Sequence, residues 1–248
     1  MAIRVFADLQ KLGIAFAERW IILSEQAIVA RGHFHVLLTG GSTPKHLYER
    51  LASAEFAGRV DWQHVHIYFG DERCVPPDHA DSNFRMANEA LLRHVAIPER
   101  QIYRMQGELA DVHESAQTYA QILAAHVPKS TDSNVQFDLV LLGLGPDGHI
   151  ASLFPSTRAL QERIRSVVAV YVEKLQAWRI SVTLPVIDNA REILMLIAGA
   201  SKAEIVSCTL ANVSQSPPLP VQMIAPAGNI EWYLDEAAAG LFADQGKP

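Results

Sequence analysis

The feature that most narrows what this chain can fold into is a series of short apolar runs separated by stretches whose apolar residues recur every three or four positions. Residues 34–39, 65–69, 137–142, 167–172, 180–184, 193–198 and 221–224 are rich in Val, Ile, Leu and Phe and read as strands. An antiparallel strand with one wet face alternates apolar and polar residues. Several of these runs are instead apolar on consecutive positions, which suits strands covered by helices on both sides. The intervening segments supply such helices. Leu9, Leu12, Phe16, Trp20, Leu23 and Ala27 repeat at three and four, and Arg31-Gly32 ends that segment with a cation and a C-terminal glycine. Further helices are expected over 44–54, 82–95, 112–126, 201–211 and 230–242. The pattern predicts an α/β protein, a three-layer α/β/α sandwich with a mostly parallel, Rossmann-like central sheet, whose ligand site lies at the carboxyl ends of the strands.

The chain has 248 residues, 49% of them hydrophobic and 19% charged, enough apolar side chain for a compact core. No shift in composition divides it. The Ser/Pro/Asn-rich stretches 128–136 and 214–220 are bounded by strand signals and read as surface connections, 237–240 reads as a helix end, and residues 1–248 are expected to form a single domain. Lys and Arg number 21 against 27 Asp and Glu, a net charge of −6, so no basic face for nucleic acid is expected. Cys74 and Cys208 stand far apart, with no metal-binding spacing, which suits a reducing, cytoplasmic location. Arg4, Asp8, Lys11 and Glu18 interrupt the N-terminal apolar residues, and the longest apolar runs fall far short of the ~20 residues that cross a bilayer; neither a secretion signal nor a membrane span is expected. The oligomeric state has no signature in these patterns.

Three segments carry chemistry. In LLTGGSTPKHLYERL a strand ends at Thr39, Gly40 and Gly41 follow, and Ser42, Thr43 and Pro44 open a helix. Glycines admit a ligand close to the backbone, Ser or Thr serves as N-cap, Pro fits the first turn, and free N–H groups with the helix dipole face an anion. The same residues would also make an ordinary tight strand-to-helix turn, and a Walker A loop is absent. In HVHIYFGDERCVPPDHADSNFRMANEALL the strand ends at Phe69 and Gly70-Asp71-Glu72-Arg73 follows at its carboxyl end, three adjacent charges that make either a site or a solvated charged turn. Arg73 suits a bidentate grip on phosphate, and Asp71 suits proton transfer or hydroxyl binding. The stretch 76–83, rich in Pro, Asp, His and Ser, reads as a rim or lid over the pocket.

In FDLVLLGLGPDGHIASLFP an apolar strand runs into Gly143-Leu144-Gly145-Pro146-Asp147-Gly148-His149. This matches G-x-G-x-x-G, and a later strand ends near Glu173, where a ribose-binding acid could stand. A dinucleotide site needs a long helix at this point, however, and Pro155 follows His149 by six residues. Asp147 and His149 flanking the last glycine fit acid/base chemistry better. Arg179, opening RISVTLP, and Lys202, in the turn GASKAEIV, are candidate phosphate-binding cations; a lysine near a helix N-terminus opposes the dipole unless an anion shares the site.

Taken in order, TGGSTP at 39–44, FGDERCVPPDHADSN at 69–83, LLGLGPDGHIASLFP at 141–155, RISVTLPVIDNA at 179–190 and GASKAEI at 199–205 resemble the 6-phosphogluconolactonase family over nearly the whole chain. The chain is also similar to the glucosamine-6-phosphate deaminases of the same fold. Those carry an acid just before the proline that follows Asp-Gly-His, where this chain has Phe154, and an aromatic residue where it has Arg73; both departures favour the lactonase. The resemblance implies hydrolysis of 6-phospho-D-glucono-1,5-lactone without metal or redox cofactor. His149 would be the general base on water, with Asp147 orienting it and Asp71 holding hydroxyls or sharing proton transfer. Gly40, Gly41, Ser42, Arg73, Arg179 and Lys202 would bind the phosphate. No G-x-S-x-G elbow supports a serine nucleophile.

Overall fold

The computed structural model describes residues 1–132, 134–211 and 217–245. The order of elements is β1 (Ala2–Phe6), α1 (Leu9–Arg31), β2 (Phe34–Leu38), α2 (Ser42–Leu51), β3 (Val65–Phe69), β4 (Asp71–Arg73), α3 (Asn83–Ala90), β5 (Ile102–Tyr103), α4 (Val112–His126), β6 (Leu139–Leu142), β7 (Val167–Val172), β8 (Ala177–Val182), α5 (Leu184–Asp188), β9 (Glu192–Ile197), α6 (Ala203–Leu210), β10 (Asn229–Asp235) and α7 (Glu236–Gln245). Seven strands make one sheet in the order β1-β10-β9-β6-β2-β3-β5, and every neighbouring pair is parallel.

The doubly apolar strands are explained by how their side chains divide. On β6, Val140 and Leu142 enter one core while Leu139 and Leu141 enter the other. On β9, Ile193, Met195 and Ile197 separate in the same way from Leu194 and Leu196. One core is closed by α1, α2 and α3 through residues such as Phe16, Trp20, Leu47 and Ala87; the other takes Tyr119 and Leu123 of α4, Val206 of α6 and Ala238 of α7. Helix α1 is bounded as its sequence suggests: the Asp8 carboxylate accepts from the Lys11 amide (2.7 Å), and Gly32, at φ 82°, donates back to the Ile28 carbonyl.

Four expectations are corrected. Residues 230–242 are not one helix: β10 occupies the first half and α7 only the second, so 237–240 lies within the helix rather than at its end. Glu231 hid this strand, because a carboxylate is an unusual occupant of a central strand. It is tolerated there through ion pairs with Arg4 (2.7 Å) and Arg19 (2.5 Å). Residues 221–224 are not a strand; Pro220 opens a 3₁₀ turn over Pro220–Met223. The tail of the expected strand at 180–184 runs into α5, with Pro185 in its first turn. Finally, Asp71–Arg73 is not a turn but a strand, β4, in a second, antiparallel sheet of order β4-β8-β7 packed on the α4 side of the large sheet. The edge strand β1 and the two-residue β5 went unread; β1 is mostly exposed and carries Arg4 in its middle. Part of the expected connection at 214–220, residues 214–216, lies outside the described residues. No helix among the described residues is long and apolar enough to cross a membrane.

Candidate active site

From β2 the chain moves one way across the sheet to β3 and β5, whereas β6, β9 and β10 are laid down on the other side, so the order reverses between β2 and β6. Two loops leaving neighbouring strands in opposite directions open a crevice there. A cleft of about 240 Å³ occupies it, walled by Thr39–Gly41 after β2, Gly143–Pro146 after β6, and Leu196 and Ile197 of β9. Of the nine residues expected at the site, Gly40, Gly41, Ser42, Asp71, Arg73, His149 and Lys202 line this one cleft. The other two stand immediately behind it, Asp147 bonded to His149 and Arg179 paired with Arg73 across the small sheet.

One wall is the amino end of α2. Its N-cap is Gly41, at φ 111°, rather than Ser42 or Thr43; Ser42 is already the first helical residue, and no side chain caps the end. The Lys45 amide is the first to bond back, to the Gly41 carbonyl (3.1 Å). The amides of Ser42 and Thr43 ahead of it are the orphan donors of a helix start, and both residues face the cleft.

The small sheet supplies the second wall. Asp71 and Arg73 are two apart on β4 and so share a face, and Arg179 of β8 lies directly opposite Arg73. Burial and the neighbouring Arg73 charge both lower the Arg179 pKa, while Asp71 opposes them. Two guanidinium groups side by side make a local excess of positive charge at this edge. Asp71 is buried, accepting from Ser152 Oγ (2.7 Å) and Asn83 Nδ2 (3.2 Å). Glu72 points the other way and serves the scaffold. Its carboxylate accepts from the Asn83 and Phe84 amides (2.8 Å each) and from Ser82 Oγ, capping α3. Within 76–83, Asn83 reaches the cleft wall, and Arg73 and Arg85 bond to the carbonyls of Asp81 and Asp78.

The third wall is the loop after β6. Its glycines answer the dinucleotide alternative, because no long helix begins here: the chain passes through turns until a 3₁₀ segment at Arg158–Gln161. Gly145 is needed for another reason. A Cβ there would sit 1.9 Å from Nδ1 and 2.0 Å from Cε1 of His149, so the imidazole occupies the space a side chain would fill. His149 Nδ1 donates to Asp147 Oδ1 at 2.5 Å, and the ring stacks on Phe154 at 4.1 Å between centroids. Burial pulls the His149 pKa below its ordinary 6.5 despite the raising effect of Asp147, so the ring is neutral at pH 7. For Asp147 burial acts upward but loses to the hydrogen bonds from Lys174 and His149, and the carboxyl is held down to about 2. An ionised Asp147 accepting from Nδ1 fixes the tautomer and leaves Nε2 with its lone pair. Lys202 donates its ammonium to the Leu144 carbonyl (2.6 Å) from the turn that Asp235 anchors through the Gly199 amide.

Asn83 and Ser152 lie within the motif segments without carrying a signal of their own, and Phe154 is marked in the sequence only as the absence of an acid, not as a ring against His149; Lys174, on the β7–β8 hairpin, gives no sequence signal at all. Against known proteins, the family model of glucosamine-6-phosphate isomerases/6-phosphogluconolactonase matches residues 7–232. The chain belongs to this family. It is 41% identical to a 6-phosphogluconolactonase of Synechocystis over 213 residues, 86% of each chain. A solved 6-phosphogluconolactonase of Trypanosoma brucei, 29% identical, superposes with a TM-score of 0.84 over 96% of this chain and 97% of that one. A monomeric glucosamine-6-phosphate deaminase, 20% identical, shares the fold with a TM-score of 0.81, covering 97% of this chain and 100% of its own.

Proposed function

We propose that this chain hydrolyses 6-phospho-D-glucono-1,5-lactone to 6-phosphogluconate, the lactone-opening step of the oxidative pentose phosphate pathway. One observation carries the reading: a neutral imidazole, its tautomer fixed by Asp147, shares one cleft with an uncapped helix start and the cations Arg73 and Lys202. A phosphosugar lactone presents the matching pair of ends, a dianion and an electrophilic carbonyl. The lactonase names of the relatives point the same way.

In the proposed reaction His149 Nε2 takes a proton from water as its oxygen attacks C1, forming a tetrahedral oxyanion. Backbone N–H groups of the glycine-rich loops stabilise that charge, each such donor being worth roughly 10²–10³ in rate. The bond from C1 to the ring oxygen then breaks, and the proton on Nε2 passes to that oxygen. The product is the open acid, which ionises, and His149 returns to its neutral form. The Ser42 and Thr43 amides, Arg73 and Lys202 grip the phosphate, with Arg179 adding field from behind, so that remote binding energy orients C1. Asp71, held by Ser152 and Asn83, positions sugar hydroxyls. Phe154 lies flat on the imidazole and offers no carboxylate for the ring-opening proton relay of a deaminase. We take residues 1–248 as one functional unit and place it in the cytoplasm, a reducing compartment that suits the free thiols of Cys74 and Cys208.

The test is to generate the lactone enzymatically and follow acid release with and without the protein, subtracting spontaneous hydrolysis. The reading predicts strong acceleration and no ammonia from glucosamine-6-phosphate. Binding of 6-phosphogluconate without acceleration, or ammonia release, would contradict it.

A further inference from the structure

We infer that Lys174, at the tip of the β7–β8 hairpin, is a positioning residue for His149, acting through both Asp147 and Phe154. The inference rests on the reading of His149 as the base. Four side chains close a ring. His149 Nδ1 bonds one oxygen of Asp147 at 2.5 Å, and the Lys174 ammonium donates to the other oxygen. The same ammonium lies 4.7 Å from the centroid of Phe154, and that ring also stacks on the imidazole at 4.1 Å and 28°. A carboxylate with one partner can swing about its Cβ–Cγ bond; tied at both oxygens it cannot, and the imidazole it holds inherits that orientation.

The hairpin is built to present this lysine. The turn Glu173–Leu175 ends at Gln176, at φ 48° in the left-handed region, and the Gln176 side chain ties the turn by donating to the Glu173 carbonyl (2.7 Å) and accepting from the Tyr171 hydroxyl (3.2 Å). Lys174 is half exposed, so a surface ion pair contributing nothing is the competing description. The geometry argues against it, because a lone surface pair has no reason to include an aromatic ring that itself packs on the proposed base.

The charges facing His149 are Asp147 on its own loop, Asp71 from β4 and Lys174 from the hairpin. Arg73 and Lys202 line the same cleft. Asp147 and Asp71 favour the imidazolium, while Lys174 opposes it. Deleting the ammonium therefore moves the His149 midpoint upward, toward protonation at higher pH.

Two readouts on the full chain test this. The first is a histidine NMR titration of the ligand-free protein, with the His149 signal assigned by its loss in the His149→Ala variant. K174M is expected to raise the midpoint by about half a pH unit or more, and K174R to restore it. The second is the pH profile on the lactone, where K174M is expected to move the acid limb up in step and to lower plateau kcat roughly 3–10-fold with KM within twofold, again rescued by K174R. An unmoved titration midpoint in folded K174M would overturn the proposal. So would a raised KM at unchanged kcat, which would make Lys174 a substrate-binding residue. The titration needs no substrate: a wild type that ignores the lactone would sink the lactonase reading while leaving this coupling to be judged on its own.

Discussion

The contact between Gly145 and His149 allows a single methyl group to test the geometry of the base. In Gly145→Ala the new Cβ would lie 1.9 Å from the imidazole Nδ1, and ordinary van der Waals contact begins near 3.4 Å, so the ring has to retreat by about 1.5 Å. Its escape is limited, because Phe154 lies against one face of the ring and Asp147 holds Nδ1. The retreat therefore stretches the bond that sets the tautomer and shifts Nε2 off the path of the attacking water. A misplacement of about 1 Å at a reacting group costs roughly 10²-fold, so kcat should fall by about two orders of magnitude. The phosphate grip lies on other loops, so KM should change less than about threefold. Gly145 is not among the positive-φ residues, and alanine adds no backbone strain of the left-handed kind there. Initial rates of lactone hydrolysis give kcat and KM, and a thermal melt confirms that the variant folds. A kcat within threefold of wild type in a folded Gly145→Ala protein would refute the claim that His149 must sit where it does.

Arg73→Ala should act chiefly on KM, raising it roughly tenfold or more by removing a charged phosphate ligand; a collapse of kcat at unchanged KM would move Arg73 to the reacting carbonyl. Burial lowers the His149 pKa, so the base stays neutral through pH 7 and is lost only on further acidification. The kcat/KM profile should be level from pH 8 to 7 and fall with a midpoint below 6.5, and a flat profile down to pH 5 would contradict a histidine base.

The site was legible because its chemistry is local in sequence. Gly40-Gly41-Ser42, Asp71-x-Arg73 and Asp147-Gly-His149 each lie directly after a buried strand, and a parallel sheet carries all such ends to one side. What escaped depends on partners far along the chain. β10 looks like the start of a helix until Arg4 and Arg19, more than two hundred residues earlier, arrive to neutralise Glu231. β4 is three charged residues that become a strand only through pairing with β8, and that pairing also sets Arg179 beside Arg73. Lys174 reaches Asp147 only because the small sheet folds its hairpin over the loop, and no spacing in the chain encodes that approach. The helix expected from residue 44 begins two residues earlier, at Ser42, for a local reason: the left-handed backbone at Gly41 lets the glycine itself take the N-cap position.

The central claim is that His149 removes the proton from the attacking water while groups elsewhere in the cleft hold the phosphate. Steady-state hydrolysis by His149→Ala, corrected for spontaneous opening of the lactone, tests it most directly. The account predicts kcat lowered by roughly 10²–10⁴ with KM little changed; turnover within about threefold of wild type would contradict it.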